Sequence, residues 1–197
     1  MNSKELLKFY KEQIKSNPAL ESAFWVDCDF CFDDSINVDN DILICGEESN
    51  YEIYPFGKDA MGGVFCLLNN EYVGYISSEG GCGIISKNIN EFFNLLATCK
   101  SLTSYFHKGV FDTFDSFKEK YEKINNENVE VNNLCLYDNF INKNGFITDI
   151  SILYNMFKAG LVIEPSFTLK ADPTQYSPWD DIFYTKQEYI EKLRTQK

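Results

Sequence analysis

Histidine is almost missing from this chain: His107 is the single one among 197 residues. One imidazole excludes a site built from several histidines and leaves one group for acid–base work near neutral pH. The run Tyr105-Phe106-His107-Lys108-Gly109 has no metal-ligand spacing, so His107 reads as a surface or helix-end residue. Long apolar runs are missing too. No stretch approaches the ~18 consecutive apolar residues of a membrane span, which predicts no membrane partner. The N-terminus, MNSKELLKFYKEQIK, mixes Lys and Glu among its apolar residues and lacks the apolar run of a secretory signal. The expected location is cytoplasmic.

Bases are absent where acids are dense. Between Glu21 and Phe56 there is no Lys or Arg, while Glu21, Asp27, Asp29, Asp33, Asp34, Asp39, Asp41, Glu47, Glu48 and Glu52 all fall there. Most of the formal net charge of -12 sits in this segment. Such a charge repels phosphate backbones and anionic bilayers, so direct nucleic-acid binding is not expected and a basic partner is. A run of one sign also reads as a solvated, solubilising face.

Reaction motifs are scarce. Cys28-Asp29-Phe30-Cys31 is a CxxC, yet no second CxxC or His pair completes a zinc site and no βαβ pattern surrounds it for thiol exchange. Counting a calcium loop from Asp27 puts Phe32 where glycine must turn the chain and Val38 where a bidentate Glu belongs. Glu79-Gly80-Gly81-Cys82-Gly83 precedes a helical pattern but matches neither a P-loop nor a dinucleotide fingerprint, and reads as a turn. No Gly-x-Ser-x-Gly elbow is present. No cofactor, no metal and no catalysis are therefore expected. The seven cysteines are an odd set scattered through apolar runs, which predicts reduced, mostly buried thiols.

What the chain does have is core. With 44% hydrophobic and 16% aromatic residues it has ample apolar area for a folded domain. Ser3 is placed to cap a helix through about Ser16, with Leu6, Leu7, Tyr10 and Ile14 on one face and Asn17-Pro18 ending it. Ala19 to Val26 fits a helix or, through Phe24-Trp25-Val26, a strand. Asp41 to Cys45 and Tyr51 to Tyr54 read as two strands joined by a turn, Pro55 closing the second. Val64 to Leu68 and Tyr72 to Ile76 read as a hairpin across Asn69-Asn70-Glu71. Gly80, Gly81 and Gly83 read as a flexible link to Ile84-Ile85, and Asn88 with Glu91 as the cap of a helix bearing Ile89, Phe92, Phe93, Leu96 and Cys99.

Farther on, Phe114, Phe117, Tyr121 and Ile124 keep helical spacing, and Leu134 to Tyr137 fits a strand or a helical turn. Asp149 is placed to cap a helix from Ile150 to Ala159, with Gly160 as its stop. Leu161 to Ile163 reads as a strand and Asp172 to Pro178 as an extended connection. Thr185 with Glu188 marks a terminal helix.

Tyr54-Pro55-Phe56-Gly57, then Gly62-Gly63-Val64-Phe65, then Tyr72-Val73-Gly74-Tyr75-Ile76, then Ile85 and Phe92-Phe93-Asn94-Leu95-Leu96, resemble in order and spacing the SMI1/KNR4 family, also called the SUKH superfamily. The likeness covers about a quarter of the chain, with Pro55, Phe56, Gly57, Gly62, Gly63 and Gly74 as its motif positions. It implies an α+β fold: a mixed, mainly antiparallel sheet with helices packed on it and a helical C-terminal part. The organisation expected is one domain over 1–197, a family-like core at about 40–100 and a helix-rich extension at about 101–197. For most bacterial members the family implies an immunity protein that neutralises a polymorphic toxin, often a nuclease, by binding without catalysis.

The expected partner is thus a cognate toxin with a basic surface, met by Asp27, Asp29, Asp33, Asp34, Asp39, Asp41, Glu47, Glu48 and Glu52. Phe30, Phe32 and Tyr51 lie among these carboxylates as core residues or as hot-spot anchors. Other readings are an intracellular interaction scaffold or regulator of the same fold, and a small CxxC redox or hydrolytic enzyme.

Overall fold

A computed structural model describes residues 1–43, 47–78, 81–107, 109–127, 133–170 and 180–181. Two antiparallel-paired hairpin strands sit at its centre. Strand β4 (Val64–Leu68) pairs β5 (Tyr72–Ile76) from Val64 opposite Ile76 to Leu68 opposite Tyr72. Within the three-residue connection 69–71, Asn69 and Asn70 turn the chain with φ of 50° and 56°, left-handed values that Asn tolerates. Around this hairpin lie β1 (Cys31–Phe32), β3 (Ile53–Lys58), β6 (Gly81–Ser86) and β8 (Asp180–Asp181), in the sheet order β1-β3-β4-β5-β6-β8. Among the described residues only the β6–β8 contact is parallel, which makes the sheet mainly antiparallel and the fold α+β.

Every residue of β4 is buried, because both faces of the sheet are covered. Alternate residues sort the two faces. Phe56, Phe65, Leu67, Val73, Tyr75 and Ile85 join the helices in the main core. Val64, Cys66, Leu68, Ile76, Cys82 and Ile84 form a second, smaller core with Ile42, Tyr51, Phe167 and Leu169.

The helices are α1 (Ser3–Lys15), α2 (Pro18–Cys28), α3 (Ile89–Cys99), α4 (Phe114–Glu127), α5 (Leu134–Asn144) and α6 (Ile150–Leu161). Helix α3 is capped by the Asn88 side chain, which accepts from the Glu91 N–H at 2.9 Å. Rather than laying one face on the sheet, it is buried nearly all round, from Phe92 through Cys99, and the other helices enclose it. Helices α4–α6 of the 101–197 part contribute Phe117, Ile124, Tyr137, Phe140, Leu153 and Phe157 to the same core as the sheet.

Several local expectations are corrected. Helix α1 is capped by Asn2, not Ser3, in a reciprocal box in which Asn2 and Glu5 each bond the other's backbone N–H at 2.9 Å. Pro18 opens α2 as its first residue under an Asn17 cap, and this start settles 19–26 as helix. The strand expected from Asp41 does not form: Val38–Ile42 is a π-helical turn, held by Asn37 Oδ1 accepting from the Asn40 N–H (3.0 Å) and Asp41 accepting from the Asn37 N–H (2.7 Å). These short-range side-chain bonds compete successfully with a ladder. Ile44 and Cys45 lie outside the described residues.

Pro55 does not close a strand. It lies within β3 at a bulge between Pro55 and Gly57, beyond the two residues that β1 covers, where no N–H is required of it. Gly81 and Gly83 are strand residues of β6 rather than a link. Gly160 is inside α6, not past its end: a Cβ there would stand 2.8 Å from the Ile85 carbonyl oxygen, so the glycine lets helix and strand touch. Leu161 ends that helix instead of starting a strand, and the strand of this region is β7 (Leu169–Lys170), paired with β2 (Glu48–Ser49). Leu134–Tyr137 is helical, part of α5. The 172–178 connection and the 185–193 helix lie outside the described residues.

Candidate partner-binding surface

The acidic segment is a strap over the second face of the sheet. Among the described residues between 33 and 53, the apolar side chains turn inward: Ile42 and Tyr51 are buried, and Ile36, Val38, Leu43 and Ile53 pack against the second core. Asp34, Asp39, Asp41, Glu48 and Glu52 are exposed on the outer side. The chain after α6 clasps the strap. Asn50 donates through Nδ2 to the Ser166 carbonyl (2.6 Å) and accepts from the Thr168 N–H (2.9 Å), while the Tyr51 hydroxyl donates to the Pro165 carbonyl (2.6 Å).

Not all nine predicted carboxylates belong to this surface. Asp27 is 2% exposed on α2, and accepts at 2.9 Å from Nδ2 of Asn133, the residue before α5. Asp29 follows α2 in the left-handed conformation (φ 53°) and accepts from the Ala60 N–H at 2.8 Å, with burial raising its carboxyl pKa. Asp33 accepts from Lys58 Nζ at 2.6 Å and from the N–H and hydroxyl of Ser35 at 2.8 and 2.6 Å. These three tie segments of the fold together and are not offered to a partner. Glu47 is half-buried and Asp34 is paired with Lys11.

The missing bases come from outside the segment, since Lys15 meets Glu21 at 3.1 Å, Lys11 meets Asp34 and Lys58 meets Asp33. The unengaged set is narrower than the sequence suggests, and in one direction wider. The Tyr51 phenol is raised first by burial and then by the neighbouring Tyr72, Glu164 and Glu71, so exposed Glu71 and Glu164 extend the acidic side of the strap. Neither is near it in sequence, and only the hairpin turn and the clasp bring them there.

The hydrogen bonds from Lys58 and Ser35 hold the Asp33 carboxyl well below the usual range near 3.9. The folded state therefore binds this proton less tightly than the unfolded chain. The stabilisation is present above the ordinary carboxylate pKa and fades as pH falls toward the folded value. Asp33→Asn is expected to lower the unfolding midpoint at neutral pH and to converge on wild type in acid. Thermal unfolding followed by circular dichroism across that window checks this, and a deficit that persists undiminished in acid would refute it.

The remaining candidates fall into the scaffold. Phe56 is 3% exposed with its ring 5.5 Å from that of Phe92, Pro55 and Gly57 are in β3, Gly62 and Gly63 are in the β3–β4 turn, and Gly74 is in β5. Phe30 and Phe32 are main-core residues, and Tyr51 is roofed by the clasp, so none of the three is an exposed anchor. Cys28 ends α2 with Sγ 3.4 Å from both the Leu96 carbonyl and the Tyr137 hydroxyl, and burial pushes its thiol up to about 12. Cys28 and Cys31 are both free thiols. Exposed Cys135 departs from the expectation of burial. His107 is exposed, and among the described residues no group of three or more His, Cys, Asp or Glu is placed to hold a metal. Among them, too, no helix is long and apolar enough to cross a membrane.

Compared with protein-family models, with curated proteins and with solved structures, the chain finds no match in any of the three.

Proposed function

We propose that this chain is an immunity protein that neutralises a cognate toxin by stoichiometric, non-catalytic binding, and that the toxin has a basic surface such as a nuclease cleft. The observation that carries the reading is the strap, with apolar residues inward and Asp39, Asp41, Glu48 and Glu52 outward, flanked by Glu71 and Glu164. Carboxylates held over a packed sheet form a fixed negative field, which steers a cationic cleft and then occupies the places of its phosphates. The likeness of the 54–96 motifs to the SMI1/KNR4 family points the same way.

The test is co-expression with the protein encoded immediately upstream, assayed as a toxin, followed by binding of the purified pair. Growth should be rescued, and a chain that neither binds nor inhibits it ends the reading. Replacing Asp39, Glu48 and Glu52 by Asn or Gln is expected to slow association by about tenfold or more at low salt and to flatten its salt dependence. Stopped-flow measurement at several ionic strengths reads both, and an unchanged rate would remove the strap from the interface.

A further inference from the structure

Asn50, Tyr51 and Glu52 fasten the end of the strap to two segments far away in sequence. The Asn50 N–H donates to the Thr168 carbonyl at 3.4 Å, its Oδ1 accepts from the Thr168 N–H at 2.9 Å, and its Nδ2 donates to the Ser166 carbonyl at 2.6 Å. The Tyr51 hydroxyl donates to the Pro165 carbonyl, and its ring stands edge-on to Tyr72 of β5 with centroids 6.2 Å apart. Glu52 joins the hairpin turn: its N–H donates to Asn69 Oδ1 at 2.8 Å, and its carbonyl accepts from the Asn69 N–H at 2.9 Å.

These bonds assemble like charges. Glu52 on the strap, Glu71 in the turn and Glu164 at the start of the clasp are all exposed. After burial and Tyr72, Glu164 and Glu71 raise the Tyr51 phenol, so both stand beside it. Among the described residues none of the three glutamates is in an ion pair. Glu48, by contrast, stands opposite Lys170 across the β2–β7 pair. Gathering carboxylates does not stabilise a fold, since they repel. The two asparagines are themselves exposed, so their hydrogen bonds compete with water and contribute little to folding. Local arrangements that work against stability are expected where a protein meets its partner.

We infer that Asn50 and Asn69 are positioning residues for the recognition proposed above, an inference that rests on that reading: they hold Glu52, Glu71 and Glu164 in one arrangement, against mutual repulsion, before a basic partner arrives. Attraction at long range depends on how many charges are present, whereas the lifetime of a complex depends on where they stand. A cationic side chain that meets carboxylates already arranged also has less ordering to offset.

Asn69→Gly keeps the backbone at ease at φ 50° and removes the acceptor for Glu52, and Asn50→Ala removes the acceptor for Thr168 and the donor to Ser166. Neither alters the charge. In the free chain, amide hydrogen exchange should quicken about tenfold at Glu52 in the first variant and at Thr168 in the second, with the unfolding midpoint of wild type. In stopped flow against the protein encoded immediately upstream, each variant should dissociate at least about tenfold faster while its association rate and salt dependence match wild type. Unchanged exchange overturns the inference, and so does unchanged dissociation in a variant whose exchange has quickened; in either case a wild type that binds leaves the recognition reading standing. A lowered midpoint with faster exchange throughout the chain also overturns it, because the asparagines would then be ordinary supports of the fold. A wild type that does not bind ends both readings.

Discussion

Phe30→Ala is expected to cost about 3–5 kcal/mol of folding stability, the range for removing a buried phenyl ring without collapse of the cavity. Phe30 is 1% exposed, and its ring centroid lies 5.0 Å from Phe32, 5.5 Å from Phe65, 5.8 Å from Phe92, 6.1 Å from Phe93, 6.3 Å from Phe56 and 6.5 Å from Phe24. Those partners come from α2, β1, β3, β4 and α3, so one ring joins the helical layer to the sheet. Several of the pairs are edge-on, a geometry worth something beyond burial. Against a typical total of about 5–15 kcal/mol, the loss is a large fraction of what holds a domain folded. Urea unfolding of the variant reads it directly. A cost below about 1 kcal/mol, well under the cavity range, would mean that neighbouring rings fill the space and that Phe30 is not the junction.

The aromatic hub shows where the sequence is readable and where it stops. Helices whose signals are local were legible: Asn88 before the Ile89 helix, Asp149 before the Ile150 helix, and the apolar spacing of Phe117 and Ile124 all take effect within one or two turns. The hairpin was legible as well, because the polar Asn69-Asn70-Glu71 connection separates two apolar runs of equal length. Phe30 was ambiguous because its neighbours in sequence are carboxylates, whereas its neighbours in space are phenylalanines from five elements. Gly160 misled for the same reason. A glycine near a helix end reads as a stop, and the alternative, close approach to Ile85, depends on a strand 75 residues earlier.

The candidate surface divides likewise. That the 21–56 segment is acidic is plain from composition, and the strap does present part of it outward. Which acids face solvent was not legible, because the partners that withdraw Asp27, Asp29 and Asp33 are Asn133, Ala60 and Lys58. A carboxylate count cannot distinguish a charge that steers a partner from one that caps a helix or receives a turn. The strap was missed as an element because its 41–45 part reads as a strand by propensity, while Asn37 and Asp41 supply bonds that curl residues 38–42 into a turn over the second core.

Asp59→Ala is the second large loss expected, about 2–5 kcal/mol, since it leaves several donors without an acceptor. Asp59 is 3% exposed in the turn between β3 and β4; Oδ1 accepts from the Met61 N–H at 2.9 Å and the Gly63 N–H at 2.7 Å, and Oδ2 accepts from the Tyr75 hydroxyl. Burial and the bond to Asp59 raise the Tyr75 phenol, so the hydroxyl stays a donor throughout the accessible pH range. Position 63 must be glycine for the ring to reach: a Cβ there would lie 2.6 Å from Tyr75 Cζ. Asp59→Asn should be milder, because the Tyr75 hydroxyl can rotate to accept from the new amide while the remaining oxygen serves the backbone. A cycle with Tyr75→Phe should show coupling of about 0.5–3 kcal/mol, and purely additive losses would place the two groups in separate networks. The comparison with the strap separates structural from steering charge in one protein. Asp59→Asn should shift unfolding and leave the toxin on-rate alone, while the Asp39, Glu48, Glu52 variant should slow association and leave unfolding alone. If Asp59→Asn slowed binding at an unchanged midpoint, the β3–β4 turn rather than the strap would be the surface that meets the partner.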